Sequence, residues 1–318
     1  MKKLFIIILA FISALIITEV IVQFIICYPK YGVEKSILGI PYPGKEFVYK
    51  PYSKYWNVEG GNKVYSRNNI GLNGIDININ KDSKYIFVMG NSFVKASEIP
   101  PEQIATSVLQ EKLNELNKNT NVLNLGFYAH NPYLLWYLSQ YFKNNYPPAA
   151  VMLVLERDYE YWMNGYKHPL EFKLPENFGT YENSSAFKLI SFLRNNSAFI
   201  NLTASALKLS GGTTTDVSAD VEDMLMSGKF DYVPEDLRTV IMQFKNTYGD
   251  KFIIVSIMPD ETLNGKLAEY CSGNNIKCIH DGSIMLPQYR LKKNGHLNEE
   301  GNKKLGEKLY EAYEKFVQ

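Results

Sequence analysis

The chain has 318 residues, and its 34 Lys and Arg residues almost balance 33 Asp and Glu residues, which leaves a formal net charge of +1. Proteins that bind nucleic acid normally carry a clustered basic excess, so this balance argues against that class and no nucleic-acid partner is expected. Three Cys residues are too few for a small scaffold built on disulfides.

The most apolar part of the chain lies at its start, where residues Leu4 to Cys27 form one uninterrupted run. A helix of this length spans the ~30 Å hydrocarbon core of a membrane. The downstream edge has no small-residue cleavage site, and Ile26 stands where a lipoprotein signal needs a small residue. Two Lys residues precede the run and favour a cytoplasmic N-terminus. We therefore predict an uncleaved, single-pass anchor over 1–27, with the remaining residues outside the cytoplasmic membrane.

Glu19 lies inside this apolar run. A carboxylate within a membrane span is costly and often has a function. Alternatively, Glu19 is protonated, or it pairs with another helix near the outer half of the membrane. The sequence alone leaves these interpretations open.

Residues 28–84 are rich in Tyr, Pro, Gly and Asn, which predicts a linker and an irregular N-terminal addition with a strand and turn at Tyr65–Gly74. From residue 85, apolar runs alternate with helical patterns. Such runs are typical of buried parallel strands, and the alternation predicts a three-layer α/β/α domain over 85–318. The predicted strands are Tyr85–Gly90, Asn121–Gly126, Ala149–Glu156, Lys251–Met258 and Lys277–His280; the predicted helices are Pro101–Asn117, Pro132–Asn144, Pro234–Tyr248, Thr262–Asn274 and Asn298–Phe316.

One interval, at about 160–233, breaks this alternation and is predicted to be an insertion. Its segment SSAFKLISFLRNNSAFINLTASALKLS has the pattern of one or two amphipathic helices. An insertion after a strand's carboxyl end lies over the ligand face of an open α/β sheet. It could therefore be a lid, or it could be a surface decoration.

Three candidate catalytic residues lie at the ends of elements in the predicted domain. Ser92 comes just after the first strand, Gly126 ends the second, and His296 stands before the last helix. The carboxyl ends of parallel strands share one edge, where open α/β sheets bind ligands. A nucleophile, an N–H donor for an oxyanion and a general base at one edge are the parts of an acyl-transfer site. Each residue alone is more often a turn or structural residue.

Three sequence blocks resemble those of one enzyme superfamily. YIFVMGNSFVKASEIPPEQ, NVLNLGFYAHNP and NGHLNEEGNKKLGEKL are similar to the first, second and last blocks of the SGNH (GDSL-type) hydrolases. The apolar helix with its Glu and the NNIGLNG segment resemble the membrane-anchored bacterial branch. The resemblance implies a flavodoxin-like fold with about five parallel strands. It also implies Ser92 as nucleophile, His296 as base, the N–H groups of Ser92 and Gly126 as oxyanion donors, and neither a cofactor nor a metal.

The same blocks depart from the family's pattern at three positions. Asn91 replaces the Asp of Gly-Asp-Ser, and Arg157 stands near the family's oxyanion Asn. Asn294 stands where the family has the acid that orients the His. In the serine-protease template, an Asn in place of that acid costs about 10⁴ in rate. A backbone carbonyl could hold His296 in a Ser-His dyad, and Arg157 could supply charge to the oxyanion.

Two functional hypotheses follow. The first is an extracytoplasmic, membrane-anchored esterase or acyltransferase that acts on a small acyl ester, for example an O-acyl group of an envelope or exported polysaccharide. The second is a catalytically weak or inactive binding or assembly protein on the same fold, with protein partners that the sequence does not identify. Outside the cytoplasm, Cys271 and Cys278 could form a disulfide. Asp281 could approach the site or cap a turn.

Overall fold

A computed structural model describes residues 2–26, 28–30, 33–36, 47–57, 63–116, 118–127, 132–156, 185–211 and 235–318.

Two short antiparallel pairs come first: β1 (Val33–Ser36) with β2 (Phe47–Tyr49), and β3 (Lys54–Asn57) with β4 (Lys63–Ser66). The main sheet has five strands: β5 (Lys84–Gly90), β6 (Thr120–Gly126), β7 (Pro148–Leu155), β8 (Phe252–Ser256) and β9 (Lys277–His280). They are all parallel, in the order β6-β5-β7-β8-β9. The predicted fold class is confirmed, and strand ends differ from the prediction by no more than two residues.

The described α-helices are α1 (Lys2–Val20, continued by a π-helical turn at Ile21–Ile25), α2 (Ser92–Lys95), α3 (Ala105–Glu115), α4 (Pro132–Lys143), α5 (Ser185–Asn196), α6 (Ala198–Gly211), α7 (Glu235–Tyr248), α8 (Glu261–Gly273) and α9 (Glu299–Phe316). Helices α4, α7 and α8 contribute to the apolar core on one face of the sheet, and α3 and α9 to the core on the other. The chain therefore forms the predicted three layers.

Strand β5 shows why the strands of the main sheet are continuous apolar runs in the sequence. Its Phe87 and Met89 belong to one core, whereas Ile86 and Val88 belong to the other. Side chains alternate between the two faces of a strand, and both faces of this sheet are covered by helices. Every position along the strand must therefore be apolar.

Among the described residues, one helix is long and apolar enough to cross a membrane, namely Lys2–Ile25. Its large apolar side chains are mostly exposed, from Leu4 to Ile25. A signal sequence near the N-terminus can meet the same criteria of length and apolar composition.

The N-terminal addition and the insertion within the domain both contain regular structure. In the first, β4 ends at Ser66, and residues 68–75 form turns in which the Asn68 side chain accepts from the Leu72 N–H at 2.9 Å. The strand and turn expected at Tyr65–Gly74 are thus both present, and the strand ends at Ser66. In the insertion, α5 and α6 are the predicted amphipathic helices. Residues 157–184 and 212–234 lie outside the described residues.

Cys271 on α8 and Cys278 on β9 lie side by side as free thiols. The hydrogen bond with Cys278, together with burial, raises the pKa of Cys271. A disulfide between them remains a prediction.

The end of β6 lies directly against the backbone of α2. A Cβ on Gly126 would be 2.2 Å from Lys95 N and 2.7 Å from Val94 C, so only glycine allows this contact. The Asn124 side chain reinforces it by donating to Val94 O at 2.9 Å. Because Ser92 begins α2, this contact sets where the Ser lies relative to the sheet.

We expect Gly126→Ala to destabilise the fold, because the added methyl group meets backbone atoms that cannot move independently. Overpacking of this kind costs about 1–3 kcal/mol or more in the free energy of unfolding. Gly265→Ala in the interior of α8 is the matched control, because a Cβ there meets nothing within 4 Å. It should stabilise the protein by about 0.5–1 kcal/mol, through helix propensity. Denaturant unfolding of both variants tests the contact, and a wild-type midpoint for Gly126→Ala would contradict it.

Candidate active site

Ser92 is presented at the carboxyl edge of the sheet by a short turn. Strand β5 ends at Gly90, and Asn91 caps α2 by accepting from the Phe93 N–H at 3.0 Å. Ser92 is the first residue of α2, and its N–H has no hydrogen-bond partner among the described residues. Both its hydroxyl and its N–H are thus available at this edge.

The second contact of Asn91 explains why this position differs from the Asp of the SGNH pattern. Its Nδ2 donates to Oε1 of Glu156, which follows β7, and both side chains are about 2% exposed. An Asp at this position would set two carboxylates against each other out of water, which is strongly unfavourable. The amide is therefore complementary to the buried Glu156.

His296 is held by a tight hairpin just before α9. The Leu291 N–H donates to His296 O at 2.7 Å, and the Arg290 guanidinium donates to Gly295 O at 2.7 Å. Gly295 has a φ of +72°, a left-handed conformation that glycine adopts without strain. Asn298 then caps α9 by accepting from the Gly301 N–H. The hairpin carries the imidazole back to the edge where Ser92 lies.

The two candidate residues meet there. Ser92 Oγ is 2.9 Å from His296 Nε2, and the ring of Phe93 packs edge-on against the imidazole with centroids 5.2 Å apart. The other ring nitrogen, Nδ1, lies 3.2 Å from Oε1 of Glu98. The Glu98 side chain is 3% exposed and that of His296 is 19% exposed. A hydroxyl, an imidazole and a buried carboxylate thus lie next to one another, in the order found in a catalytic triad.

The carboxylate in this arrangement comes from a different position than expected. The sequence blocks place Asn294 at the position of the residue that orients the ring, but its Oδ1 accepts from the backbone N–H of His296 at 3.1 Å and so shapes the loop. Glu98 lies six residues after Ser92, in the first block. The only sequence signal for it is an acidic residue between the apolar Ala96 and Ile99, which is easily taken for a loop residue.

The segment that carries Glu98 is held by the N-terminal addition. Ala96 adopts a left-handed conformation with a φ of +46°, which turns the chain after α2. Two buried amides secure that turn: Asn57 Nδ2 donates to Ser97 O at 2.7 Å, and Asn73 Nδ2 donates to Lys95 O at 3.0 Å. Residues predicted to be a linker and decoration therefore help to form the site.

The expected oxyanion donors are only partly available. The Gly126 N–H, expected to be free, donates to Oδ1 of Asn124 at 3.0 Å, so a role in binding an oxyanion would require that bond to break. The Ser92 N–H has no such competitor among the described residues. Arg157 lies outside the described residues.

The remaining candidate carboxylate has a structural role. Asp281 caps a short 3₁₀-helix at Gly282–Met285 and accepts from the N–H and the hydroxyl of Ser283. Within the described ranges, no group of three or more His, Cys, Asp or Glu residues could hold a metal ion.

The chain is similar to several solved structures at low sequence identity. No family model matches the chain, and no curated protein matches it. Among solved structures, a lipolytic protein of the G-D-S-L family from Desulfitobacterium hafniense shares 12% identity over 72% of this chain and 99% of its own, with a TM-score of 0.37. The esterase EstA from Pseudoalteromonas sp. shares 9% sequence identity over 74% of this chain and 99% of its own, with a TM-score of 0.41. The acetyl xylan esterase AlAXEase shares 16% sequence identity over 72% of this chain and 98% of its own, with a TM-score of 0.37.

We expect Asn91→Asp to destabilise the protein in a pH-dependent way. One of the two facing carboxyl groups would have to stay protonated, so the folded variant would bind more protons than the unfolded chain above pH ~4. Stability then falls as pH rises. Urea unfolding at acidic and at neutral pH should show a larger deficit at neutral pH. Asn91→Asp with Glu156→Gln restores an amide–carboxylate pair and should recover most of the loss; equal deficits in single and double variants would contradict the pairing.

We expect Glu98→Gln to lower kcat/KM on an aryl acetate by up to about 10⁴-fold, as loss of the orienting carboxylate does in the serine-protease template. Glu98→Asp should retain part of the activity. Asn294→Asp is the matched control, since it keeps the acceptor for the His296 N–H and should behave like wild type. The reverse order, with Asn294→Asp impaired and Glu98→Gln active, would assign the orienting role to Asn294.

Proposed function

We propose that the protein is a membrane-anchored serine esterase or acyltransferase whose α/β domain lies outside the cytoplasmic membrane and acts on a small acyl ester. The observation that carries this proposal is the alignment of Ser92 Oγ with His296 Nε2 at 2.9 Å, with Glu98 3.2 Å from the opposite ring nitrogen. A proton on Nδ1 would face the Glu98 carboxylate, and Nε2 would then be the nitrogen that accepts the Ser92 proton.

The reaction follows from these three groups. His296 takes the hydroxyl proton while Ser92 Oγ forms a bond to the acyl carbon, and the carbonyl oxygen becomes an oxyanion. Glu98 stabilises the imidazolium that results. The imidazolium returns its proton to the departing alcohol as the ester bond breaks. Water, or the hydroxyl of an acceptor, then resolves the acyl-enzyme by the same steps in reverse.

The oxyanion is proposed to bind at the Ser92 N–H, which is free among the described residues. Preorganised donors at this position account for a large share of the rate in acyl transfer. The Gly126 N–H could add a second hydrogen bond if the tetrahedral intermediate displaced Oδ1 of Asn124, and Arg157 could add positive charge. Either contribution would depend on a rearrangement when substrate binds.

The proposed substrate is an O-acyl group of an envelope or exported polysaccharide. Two features support it: the resemblance of the sequence blocks to SGNH hydrolases, and the apolar helix Lys2–Ile25, which would tether the domain at the membrane surface. The two Lys residues before that helix favour a cytoplasmic N-terminus and a domain on the opposite side.

The alternative, an inactive binding or assembly protein, rests on three departures from the SGNH pattern. Two of them are compatible with an active enzyme. Asn91 is complementary to the buried Glu156, and the carboxylate that Asn294 cannot supply is present in Glu98. The geometry therefore favours the enzyme.

We expect a fluorophosphonate probe to label the full-length protein in membranes, because the probe reacts with an activated Ser hydroxyl. Ser92→Ala and His296→Ala should not be labelled, whereas Ser272→Ala, which changes an exposed Ser on α8, should be labelled like wild type. Mass spectrometry of the adduct should locate it on Ser92. If the wild-type protein is neither labelled nor active on aryl acetates, the catalytic proposal is wrong and the binding protein is the better description.

A further inference from the structure

Glu19 makes a specific contact that the candidate active site does not use. Its carboxylate accepts from Ser197 Oγ at 2.6 Å, from the Ala198 N–H at 2.8 Å and from the Phe199 N–H at 3.0 Å. These donors lie at the first turn of α6, whose leading N–H groups have no partner within the helix. A carboxylate is the preferred cap there, because it satisfies those donors and complements the positive end of the helix dipole.

Further hydrogen bonds join the same elements. Asn201 on α6 donates to Pro29 O at 2.9 Å, just beyond the N-terminal helix. The guanidinium of Arg194 on α5 donates twice to Asn201 Oδ1, at 3.0 and 2.8 Å. Both side chains are buried. Helices α5 and α6 are therefore attached to the end of the N-terminal helix at more than one point.

The position of Glu19 along that helix sets the depth of the attachment. Glu19 lies six residues before Ile25, the last residue of the helical span. At 1.5 Å per residue this is ~9 Å along the axis, and the whole span is only slightly longer than a ~30 Å hydrocarbon core. When the helix crosses the membrane, the start of α6 therefore lies at or just below the boundary between headgroups and acyl chains.

Helix α5 carries an exposed apolar face beside this attachment. Leu189, Phe192 and Leu193 are 58%, 63% and 38% exposed. Their spacing of three and four residues places them on one side of the helix. A cluster of exposed apolar side chains marks a surface that binds another protein or a membrane. At the depth set by Glu19, the apolar surroundings are the acyl chains of the outer leaflet.

We propose that α5 and α6 form an interfacial helix pair that is docked on the membrane helix through Glu19 and inserts the apolar face of α5 among outer-leaflet acyl chains. This inference rests on the membrane anchoring in the proposed function, but not on the catalytic chemistry. It also assigns a role to Glu19: a carboxylate is tolerated in the span because a helix of the same chain caps it.

The lipid contact is tested by placing p-benzoylphenylalanine in place of Phe192 in the full-length protein, reconstituted in vesicles of phosphatidylethanolamine and phosphatidylglycerol. Irradiation should give a lipid adduct, detected by mass spectrometry of the protein. The matched control carries the same group in place of Glu311, an exposed residue of α9, and should give none. Equal adducts at both positions, or none at Phe192, would overturn the proposal.

The role of Glu19 is tested by hydrogen exchange in the same vesicles. Glu19→Ala should accelerate amide exchange over Ala198–Asn201 and reduce the lipid adduct at position 192. Thr18→Ala is the control, because the Thr18 hydroxyl donates to Ala14 O on its own helix, and it should leave both measurements unchanged. Unaltered exchange in Glu19→Ala would contradict the docking.

Fractionation separates the two proposals. An intact chain in the alkali-washed membrane pellet supports the anchor. If the lipid adduct at position 192 is absent from that same sample, the interfacial helix pair is wrong while the anchor stands. A chain that lacks the apolar helix and is found in the soluble fraction rejects the anchor and, with it, the helix pair. Fluorophosphonate labelling of Ser92 is read independently of either result.

Discussion

The site depends first on the backbone contact between the end of β6 and the short helix α2. A Cβ at Gly126 would overlap Lys95 N, so the two backbones approach more closely than a residue other than glycine allows. With α2 held in this way, Ser92 lies at the sheet edge and the chain after α2 must turn sharply, which it does at the left-handed Ala96. The position of Glu98, and hence the orientation of the imidazole, follows from that turn.

Two members of the triad arrangement come from one short segment, and the third comes from the far end of the chain. Ser92 and Glu98 are six residues apart, whereas His296 is 204 residues from the nucleophile. The rigidity of the short segment is supplied from outside by Asn57 and Asn73, whose buried amides saturate the carbonyls on either side of Ala96. A catalytic group held in advance needs no reorganisation during reaction.

The sequence predicts those features of the fold and site that depend on hydrophobic periodicity and on the order of strands and helices. The strands were predictable because both faces of a parallel sheet are buried, and Ser92 with His296 because carboxyl-end loops meet at one edge. Glu98 was not predictable, since its direction depends on a left-handed alanine and on amides distant in sequence. The partner of Glu19 was equally hidden, because Ser197 is 178 residues away and the contact needs the three-dimensional fold.

The two amides that hold the turn before Glu98, those of Asn57 and Asn73, both lie before residue 85. Composition changes at residue 85, which suggests that the α/β layers are complete from there on. A protein truncated at that point would keep Ser92, Glu98 and His296, yet it would lose both amides that fix the turn. The turn that carries Glu98 therefore depends on residues from β3 onward, and the α/β layers that begin at residue 85 do not supply its two amide contacts.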